Sequence, residues 1–147
     1  MQFAIIFFVA GEPMPPVSIA RIPFILDGYL ADELPGVIVA FQGLEFTPPE
    51  NALWVRPTCK TGGMTDMEKG LDGYSRRSGI YMIDIFIPWP GPAFDAWEVA
   101  ANLERLFRRQ CIEGIYTEDP HSDNMGIDQY NKFLVRTSVP WWCWANR

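Results

Sequence analysis

The chain has 147 residues, of which 48% are hydrophobic, so it is long enough for one hydrophobic core and too short for two ordinary domains. Its formal net charge of -6 at pH 7 would repel a phosphate backbone, which argues against a nucleic-acid-binding protein. Aromatic residues make up 14% of the chain, more large apolar surface than a lone domain of this size readily hides, which favours a subunit of an assembly.

The N-terminal segment is apolar over residues 3–9, but no Lys or Arg precedes it and it is shorter than the ~20 residues that span a membrane. Glycine and prolines follow at residues 11–16 and bound it as a short strand. We therefore expect no membrane segment. Residues 1–16 are predicted to form an extended arm or strand that adds to this chain's own sheet or to a neighbour's.

The next segment predicts a helix and then two strands. Apolar residues between positions 17 and 34 recur at three- and four-residue spacing, which indicates a helix that starts or kinks near Pro23. Residues 37–41 and 53–56 are rich in β-branched and aromatic side chains and are separated by prolines, so they predict two strands joined by a turn.

Residues 60–78 contain four glycines and mixed charges with little apolar periodicity, which predicts a long exposed loop or a flexible hairpin tip. Such a segment has few anchors of its own, so we expect it to be a docking element that becomes ordered against a neighbouring protein. A plain surface loop is the alternative. The candidate docking residues are Lys60, Met64, Asp66, Met67, Glu68, Lys69, Leu71, Asp72, Tyr74, Arg76 and Arg77.

Residues 80–87 give the clearest strand signal. Apolar side chains alternate along this segment, so one face of the strand is apolar; it carries Tyr81, Ile83, Ile85 and Ile87. Asp84 falls on the opposite face. We expect this carboxylate to be exposed or paired rather than catalytic.

An amphipathic helix is predicted after the prolines at positions 88–92. Residues 95–98 resemble a capping box, and apolar residues recur at helical spacing from Val99 to Phe107. Arg108 and Arg109 would lie in its last turn, where positive charge complements the helix C-terminus.

The C-terminal third predicts a short strand at residues 112–117, a polar loop at 118–129 and a long final strand at 133–143. Period-two alternation places Trp141 on the apolar face of the final strand and Trp142 and Trp144 on the opposite face. Trp142 and Trp144 are therefore the candidate subunit contact. Removing the residues after Pro140 is expected to weaken assembly more than folding.

This order of elements predicts an α+β fold, with an antiparallel or mixed β-sheet and two helices packed on one face. Residues 17–147 would form this single domain, with the long loop at 60–78.

No pattern in the chain supports a catalytic, cofactor-binding or metal site. His121 is the only histidine and lies among acidic residues in the predicted loop, where a solvated side chain is expected; a small metal-dependent enzyme built on His121 and these acids is the alternative. The glycine-rich segments lack the Gly-Lys-Ser/Thr order of a phosphate loop. Three widely spaced cysteines indicate a reducing compartment and are expected to be buried apolar fillers.

A family resemblance comes from the order of these segments. Residues 46–49, the strand at 53–56, the glycine-rich segment and the strand at 78–88 resemble the tail terminator (tail completion) proteins of long-tailed bacteriophages. The resemblance continues through the helix at 97–107 and the strand at 135–140, and so covers residues 17–140. The chain departs from the family by the added apolar segment at 3–9 and by Pro23 inside the first helix.

The resemblance implies a structural virion protein and not an enzyme. Its subunits would form a homohexameric ring that caps the tail tube, stops tube growth and joins the tail to the head-side connector. Its partners would be further copies of itself, the tail tube protein and the connector or neck protein, and DNA would pass through the pore without specific binding. The protein would be made in the host cytoplasm and end at the head-proximal end of the virion tail. The alternatives are another neck or head-completion ring protein, or a monomeric cytosolic binding module.

Overall fold

The computed structural model describes residues 15–66, 75–129 and 131–146. Its elements in chain order are α1 (Arg21–Glu33), β1 (Ile38–Val39), β2 (Trp54–Asp66), β3 (Ser75–Pro88), α2 (Ala93–Phe107), β4 (Cys111–Ile112), β5 (Ile115–Thr117), β6 (His121–Ile127) and β7 (Lys132–Ala145). Two helices pack on one face of a mixed seven-stranded sheet, which confirms the predicted α+β class.

The sheet is built around three long antiparallel strands. β3 pairs with β2 on one side and with β7 on the other, and its pairing with β7 runs from Ser75–Ala145 to Pro88–Lys132. On the far side of β7, β6 pairs with its first half and β5 with its second half. β1 is parallel to β2 and pairs with only two of its residues. One edge of the sheet therefore lies at β1 and β2, and the other is formed by β6 and by β4, which pairs with β5.

The core lies between the helices and the sheet face that they cover, which we call the inner face. Tyr81 and the three isoleucines that follow it at alternate positions are all buried there, as predicted. The helix α2 presents Ala96, Ala100, Leu103 and Phe107 to them. Burying one large apolar side chain contributes about 1.5–3 kcal/mol, so this layer is a main source of the stability of the fold.

The helix ends differ from the prediction in detail. Pro23 lies in the first turn of α1, where a backbone N–H has no helical partner to lose, so the helix simply begins near it. The predicted capping box of α2 is wrong: Pro92 is the N-cap and no side chain caps the helix. α2 also ends at Phe107, before the arginines expected in its last turn.

Two predicted loops are largely strands. β2 continues through Asp66 and β3 begins at Ser75, so the predicted loop over 60–78 is wrong at both ends, and residues 67–74 lie outside the described residues. The predicted polar loop at 118–129 is also wrong, because β6 occupies its centre and pairs with β7. Main-chain hydrogen bonds to a long neighbouring strand hold both segments, and such bonds leave no trace in side-chain patterning.

The start of the described chain meets the end of β7, where the Val17 N–H donates to the Trp144 carbonyl at 2.9 Å. Residues 1–14 of the predicted arm lie outside the described residues. Neither described helix has the length and apolar character needed to cross a membrane.

Titratable groups cluster at the core beside α1. The Tyr81 hydroxyl donates to Asp27 Oδ1 at 2.5 Å, and burial raises the pKa of Asp27 while this hydrogen bond lowers it by less. Burial, with the nearby charges of Asp27 and Cys143, raises the pKa of Cys59 to about 11. Cys143 is buried and Cys59 partly buried, but Cys111 is exposed, so the expectation of a buried cysteine is wrong for Cys111.

Candidate functional site

The outer face of the sheet, opposite the helices, carries a row of four charged side chains across four adjacent strands. Asp123 on β6 is the register partner of Arg136 on β7. Arg136 is the partner of Asp84 on β3, and Asp84 is the partner of Arg56 on β2. Opposite charges in cross-strand positions stabilise a sheet. The row ends in a carboxylate at the β6 edge and a guanidinium at the β2 edge.

Asp84 is the buried member of this row, with 5% of its surface exposed. Arg136 Nε donates to its Oδ1 at 2.7 Å and Arg136 Nη2 donates to its Oδ2 at 3.3 Å. Arg56 Nη2 lies 3.9 Å from the same Oδ2. The hydrogen bond to Asp84 raises the pKa of Arg136. A buried carboxylate needs such partners, so Asp84 has a structural role. The sequence predicted that Asp84 is exposed or paired, and it is paired.

Arg56 is held at the β2 edge by aromatic rings. Its guanidinium carbon lies 5.0 Å from the centroid of Phe86 and 6.0 Å from that of Trp54. The two rings stack on each other with centroids 4.2 Å apart. Half of the Arg56 side chain, 51%, is nonetheless exposed. The residue therefore presents an oriented positive charge at the edge of the sheet.

A groove of about 410 Å³ opens beside Arg56, between β2 and the segment that follows β1. Its walls are mostly apolar, and the side chains that define it are Phe41, Leu44, Phe46, Trp54, Arg56 and Pro57. Leu44 at its mouth is 68% exposed. The groove thus combines apolar walls with one cation, a lining suited to an apolar side chain next to a carboxylate.

The β6 edge carries the opposite charge. Asp123 is 63% exposed, and Met125 and Ile127 are each 48% exposed. A bulge between Asn124 and Gly126 displaces Met125 from the ladder with β7, and Gly126 adopts a φ of +80° there. The bulge therefore offers an apolar side chain next to an acidic one.

The predicted subunit contact lies on the outer face, at the end of the sheet away from the groove. The Trp142 ring stacks on Tyr116 at 4.4 Å and under the Arg76 guanidinium at 4.2 Å. Its Nε1–H donates to Glu118 Oε1 at 3.1 Å, and Trp144 meets it edge-on at 5.5 Å. Trp142 is thus packed within its own chain while both tryptophans keep part of their surface exposed.

The structure changes the expectation about the C-terminus. Trp141, Cys143 and Ala145 are buried in the core, so removing the residues after Pro140 would take apart the inner face of β7. Truncation would therefore disturb folding itself. Single substitutions at Trp142 and Trp144 are the informative changes for this contact.

The predicted docking residues separate into two groups. Lys60, Met64 and Asp66 lie on β2, and Arg76 and Arg77 lie on β3, so these five belong to the sheet. The remaining six lie outside the described residues: Met67, Glu68, Lys69, Leu71, Asp72 and Tyr74.

His121 is exposed, as predicted, but stands on β6 rather than in a loop. Its Nε2 lies 3.7 Å from Asp123 Oδ2. The neighbouring acids make structural contacts: Asp119 binds Arg109 at 2.9 Å and Asp128 accepts the Lys132 N–H at 2.9 Å. Within the part of the chain that the structure describes, no three His, Cys, Asp or Glu side chains are placed to hold a metal ion.

Sequence reasoning missed the charged row and both edges. Asp84 and Arg136 are 52 residues apart, and their pairing depends on a strand register that the sequence does not display. The available signal was the polar alternation on β7, which places Arg136 on the same face as Trp142.

Comparison with known proteins gives a family and a fold. The family model described as phage tail terminator protein matches residues 21–141 of this chain. No curated protein sequence matches. Eight chains of solved structures match. One of them, which carries no functional description, has a TM-score of 0.59 at 16% identity, with 84% of this chain and 96% of that chain covered. This likeness concerns the fold alone.

Proposed function

Because the chain belongs to the phage tail terminator protein family, we propose that it is the subunit of a ring that closes the head-proximal end of the tail tube. The ring, a homohexamer, stops tube growth and joins the tail to the head-side connector. In this role the chain is a structural protein of the bacteriophage tail rather than an enzyme. The family match over residues 21–141 is the observation that carries the proposal.

The charge and the surface of the chain support this role. A net charge of -6 suits a ring through which DNA moves, because a negative lumen repels phosphates and does not retain the duplex. Exposed apolar side chains at both sheet edges, including Leu44 and Met125, suit a protein that is covered by neighbours in its working state.

The segment between β2 and β3 is proposed to meet the tube or the connector. Asp66 and Ser75 are register partners, so β2 ends and β3 begins side by side at one end of the sheet. Charges of both signs and the apolar side chains of Met67, Leu71 and Tyr74 provide the chemistry for docking on a protein surface.

The test is a phage whose copy of this gene carries an early stop codon, grown with and without the wild-type gene on a plasmid. Without the protein we expect tubes of irregular, excessive length and heads that carry no tails, seen by negative-stain electron microscopy. The plasmid copy should restore particles. Tails of normal length joined to heads in the absence of the protein would refute the proposal.

Position in the particle is tested separately with an epitope tag and gold-labelled antibody. Label at the head-proximal end of free tails is the expected result. Label on tailless heads instead would identify a neck subunit.

A further inference from the structure

The two edges of the sheet are complementary in charge. Four antiparallel strands, β2, β3, β7 and β6, lie side by side in that order. The charged row that crosses them begins with Arg56 and ends with Asp123, and the side chains of both end residues are more than half exposed. A second copy placed beside the first would bring a carboxylate next to a guanidinium and continue the alternation of signs.

Strand direction allows this continuation. Because the row crosses an even number of antiparallel strands, β6 of one copy would run antiparallel to β2 of the next. With Asp123 level with Arg56, antiparallel alignment places Met125 level with Trp54, which lines the groove. The alignment that matches the charges therefore also brings the displaced apolar side chain of β6 to the apolar groove.

Side chains rather than main-chain pairing would hold this contact. The Ala40 N–H already donates to the Val55 carbonyl at 2.8 Å and occupies the outward side of β2 at that point. Alternate residues of a strand point their main-chain groups the same way, so the main-chain groups of Pro57 also point away from β3. Pro57 has no N–H to donate there. On the opposing edge, the bulge on β6 interrupts the regular spacing of main-chain groups that a ladder with β2 would need. Recognition then depends on shape and charge.

We propose that the groove at the β1–β2 edge receives the β6 edge of a second copy, with Met125 entering the groove and Asp123 facing Arg56. The proposal rests on the ring in the proposed function and identifies its subunit contact. The contact joins two different surfaces of the same chain, so it is head-to-tail and generates a closed ring when the rotation between copies closes.

The experiment uses one variant for each surface, Leu44→Asp in the groove and Met125→Asp on β6. Both side chains are exposed, so neither change is expected to disturb the core. Phe24→Asp is the matched control, because Phe24 is 76% exposed on α1 and belongs to neither edge. Circular dichroism establishes folding, and sedimentation equilibrium gives the mass of the assemblies. Should Met125→Asp fail to fold, Asp123→Lys tests the same edge.

Each edge variant alone is expected to sediment at the monomer mass of 16.8 kDa, while Phe24→Asp assembles as the wild type does. An equal mixture of the two edge variants should form dimers and nothing larger. The Leu44→Asp copy keeps an intact β6 edge and the Met125→Asp copy keeps an intact groove, so one junction forms and the next cannot.

Three results would overturn the proposal. Either edge variant could assemble as the wild type does, or the mixture could remain monomeric. Deletion of residues 1–14 and Leu44→Asp could both abolish assembly while Met125→Asp assembles, which would make the N-terminal segment the occupant of the groove. In each case a wild-type ring leaves the proposed function standing, whereas a wild-type protein that is monomeric even beside tail tubes removes both proposals.

Discussion

At the scale of single residues, Asp84 shows how the sheet tolerates a buried charge. Its carboxylate lies on the outer face under two arginines, one of which binds both carboxylate oxygens. The partners are unequally exposed, with 7% of the Asp84 side chain and 32% of the Arg136 side chain accessible. Loss of Arg136 would therefore leave a poorly paired carboxylate in a buried place, whereas loss of Asp84 would leave a guanidinium that water already reaches.

We expect Arg136→Ala to lower the free energy of unfolding by roughly 3 kcal/mol, because among the described residues it leaves the more distant Arg56 as the partner of the buried carboxylate. Asp84→Ala should cost less, because the Arg136 guanidinium can turn to water. Urea denaturation of both variants gives the order. Arg108→Ala, an exposed arginine after α2, is the control and should stay within about 0.5 kcal/mol. A larger loss for Asp84→Ala than for Arg136→Ala contradicts the argument.

Asp27 makes a prediction about pH. Burial raises its pKa above the ordinary value of 3.8, against the smaller effect of the Tyr81 hydrogen bond, so the folded state holds the proton more strongly than the unfolded state. This contribution to stability is fully present below pH 3.8 and is lost as pH rises through the raised pKa of the folded state. The stability of Asp27→Asn relative to the wild type should therefore increase as pH rises from 4 towards neutrality.

Urea denaturation at several pH values measures that difference. Asp32→Asn, an exposed carboxylate on the same helix, is the matched variant. If the stability of Asp27→Asn relative to the wild type is constant or falls with rising pH, burial does not dominate the pKa of Asp27.

Gly79 on β3 is required by a close approach. A Cβ at this position would overlap the Lys60 carbonyl oxygen and the Trp141 ring. Gly79→Ala should therefore destabilise the fold by about 1–3 kcal/mol. Gly28→Ala is the opposite case, because Gly28 lies within α1 with none of the described atoms within 4 Å of an added Cβ, and it should stabilise by up to about 1 kcal/mol. Thermal denaturation of the pair checks the signs, and equal shifts would count against the packing described here.

At the scale of elements, side-chain periodicity predicted what the core requires. α2, β3 and β7 were predicted because each buries one face against the others, and Ile83 and Leu103 are buried where their spacing placed them. β6 was missed because most of its residues are exposed, so buried and exposed positions do not alternate along it. A hairpin tip was one of the two predictions for residues 60–78, but the length of its strands was missed. Gly62 and Gly63 lie in β2 at an irregularity of its register, and pairing with β3 holds the strand on both sides of them.

The same comparison separates the candidate site into what sequence could and could not supply. Trp142 was predicted on the outer face from period-two alternation, and it lies there. The groove could not be predicted, because it is formed where the segment after β1 returns to β2, and the path of that segment is set by packing on Trp54 and Phe86.

The hairpin between β2 and β3 makes a prediction at this scale. Since Asp66 and Ser75 are already paired, replacing residues 67–74 by Asn-Gly closes the strands with a two-residue turn. We expect the fold and the assembly to survive and the tails to fail in terminating or joining heads. Complementation of the stop-codon phage followed by electron microscopy checks this. Infectious particles at the wild-type yield would show that the removed residues are dispensable.

At the scale of the whole molecule, the apolar surface is distributed unevenly. The inner face is covered by the two helices, whereas Leu44, Met125 and Ile127 remain exposed at the edges. Exposed groups of this kind are covered when subunits associate.

We therefore expect the wild-type protein to form a single closed species of defined mass, a multiple of 16.8 kDa, with six copies the expected number. Sedimentation equilibrium across a range of concentrations measures it. The control is the Leu44→Asp variant under the same conditions. A protein that stays monomeric at the highest concentration, alone and with tail tubes, contradicts the expectation.

The arrangement of β2 and β3 beside β7 also bears on whether the two sides of a ring of these subunits are alike. The register pairs at Asp66, Ser75 and Ala145 all lie at one end of the sheet, and Pro88 and Lys132 lie at the other. Rotation about a single axis carries the same end of every copy to the same side, whereas a two-fold axis between copies would turn alternate copies over. A ring joined through unlike edges thus has two chemically different sides, one bearing every hairpin end. The proposed role needs that directionality, because the tube and the connector that such a ring would join are different proteins.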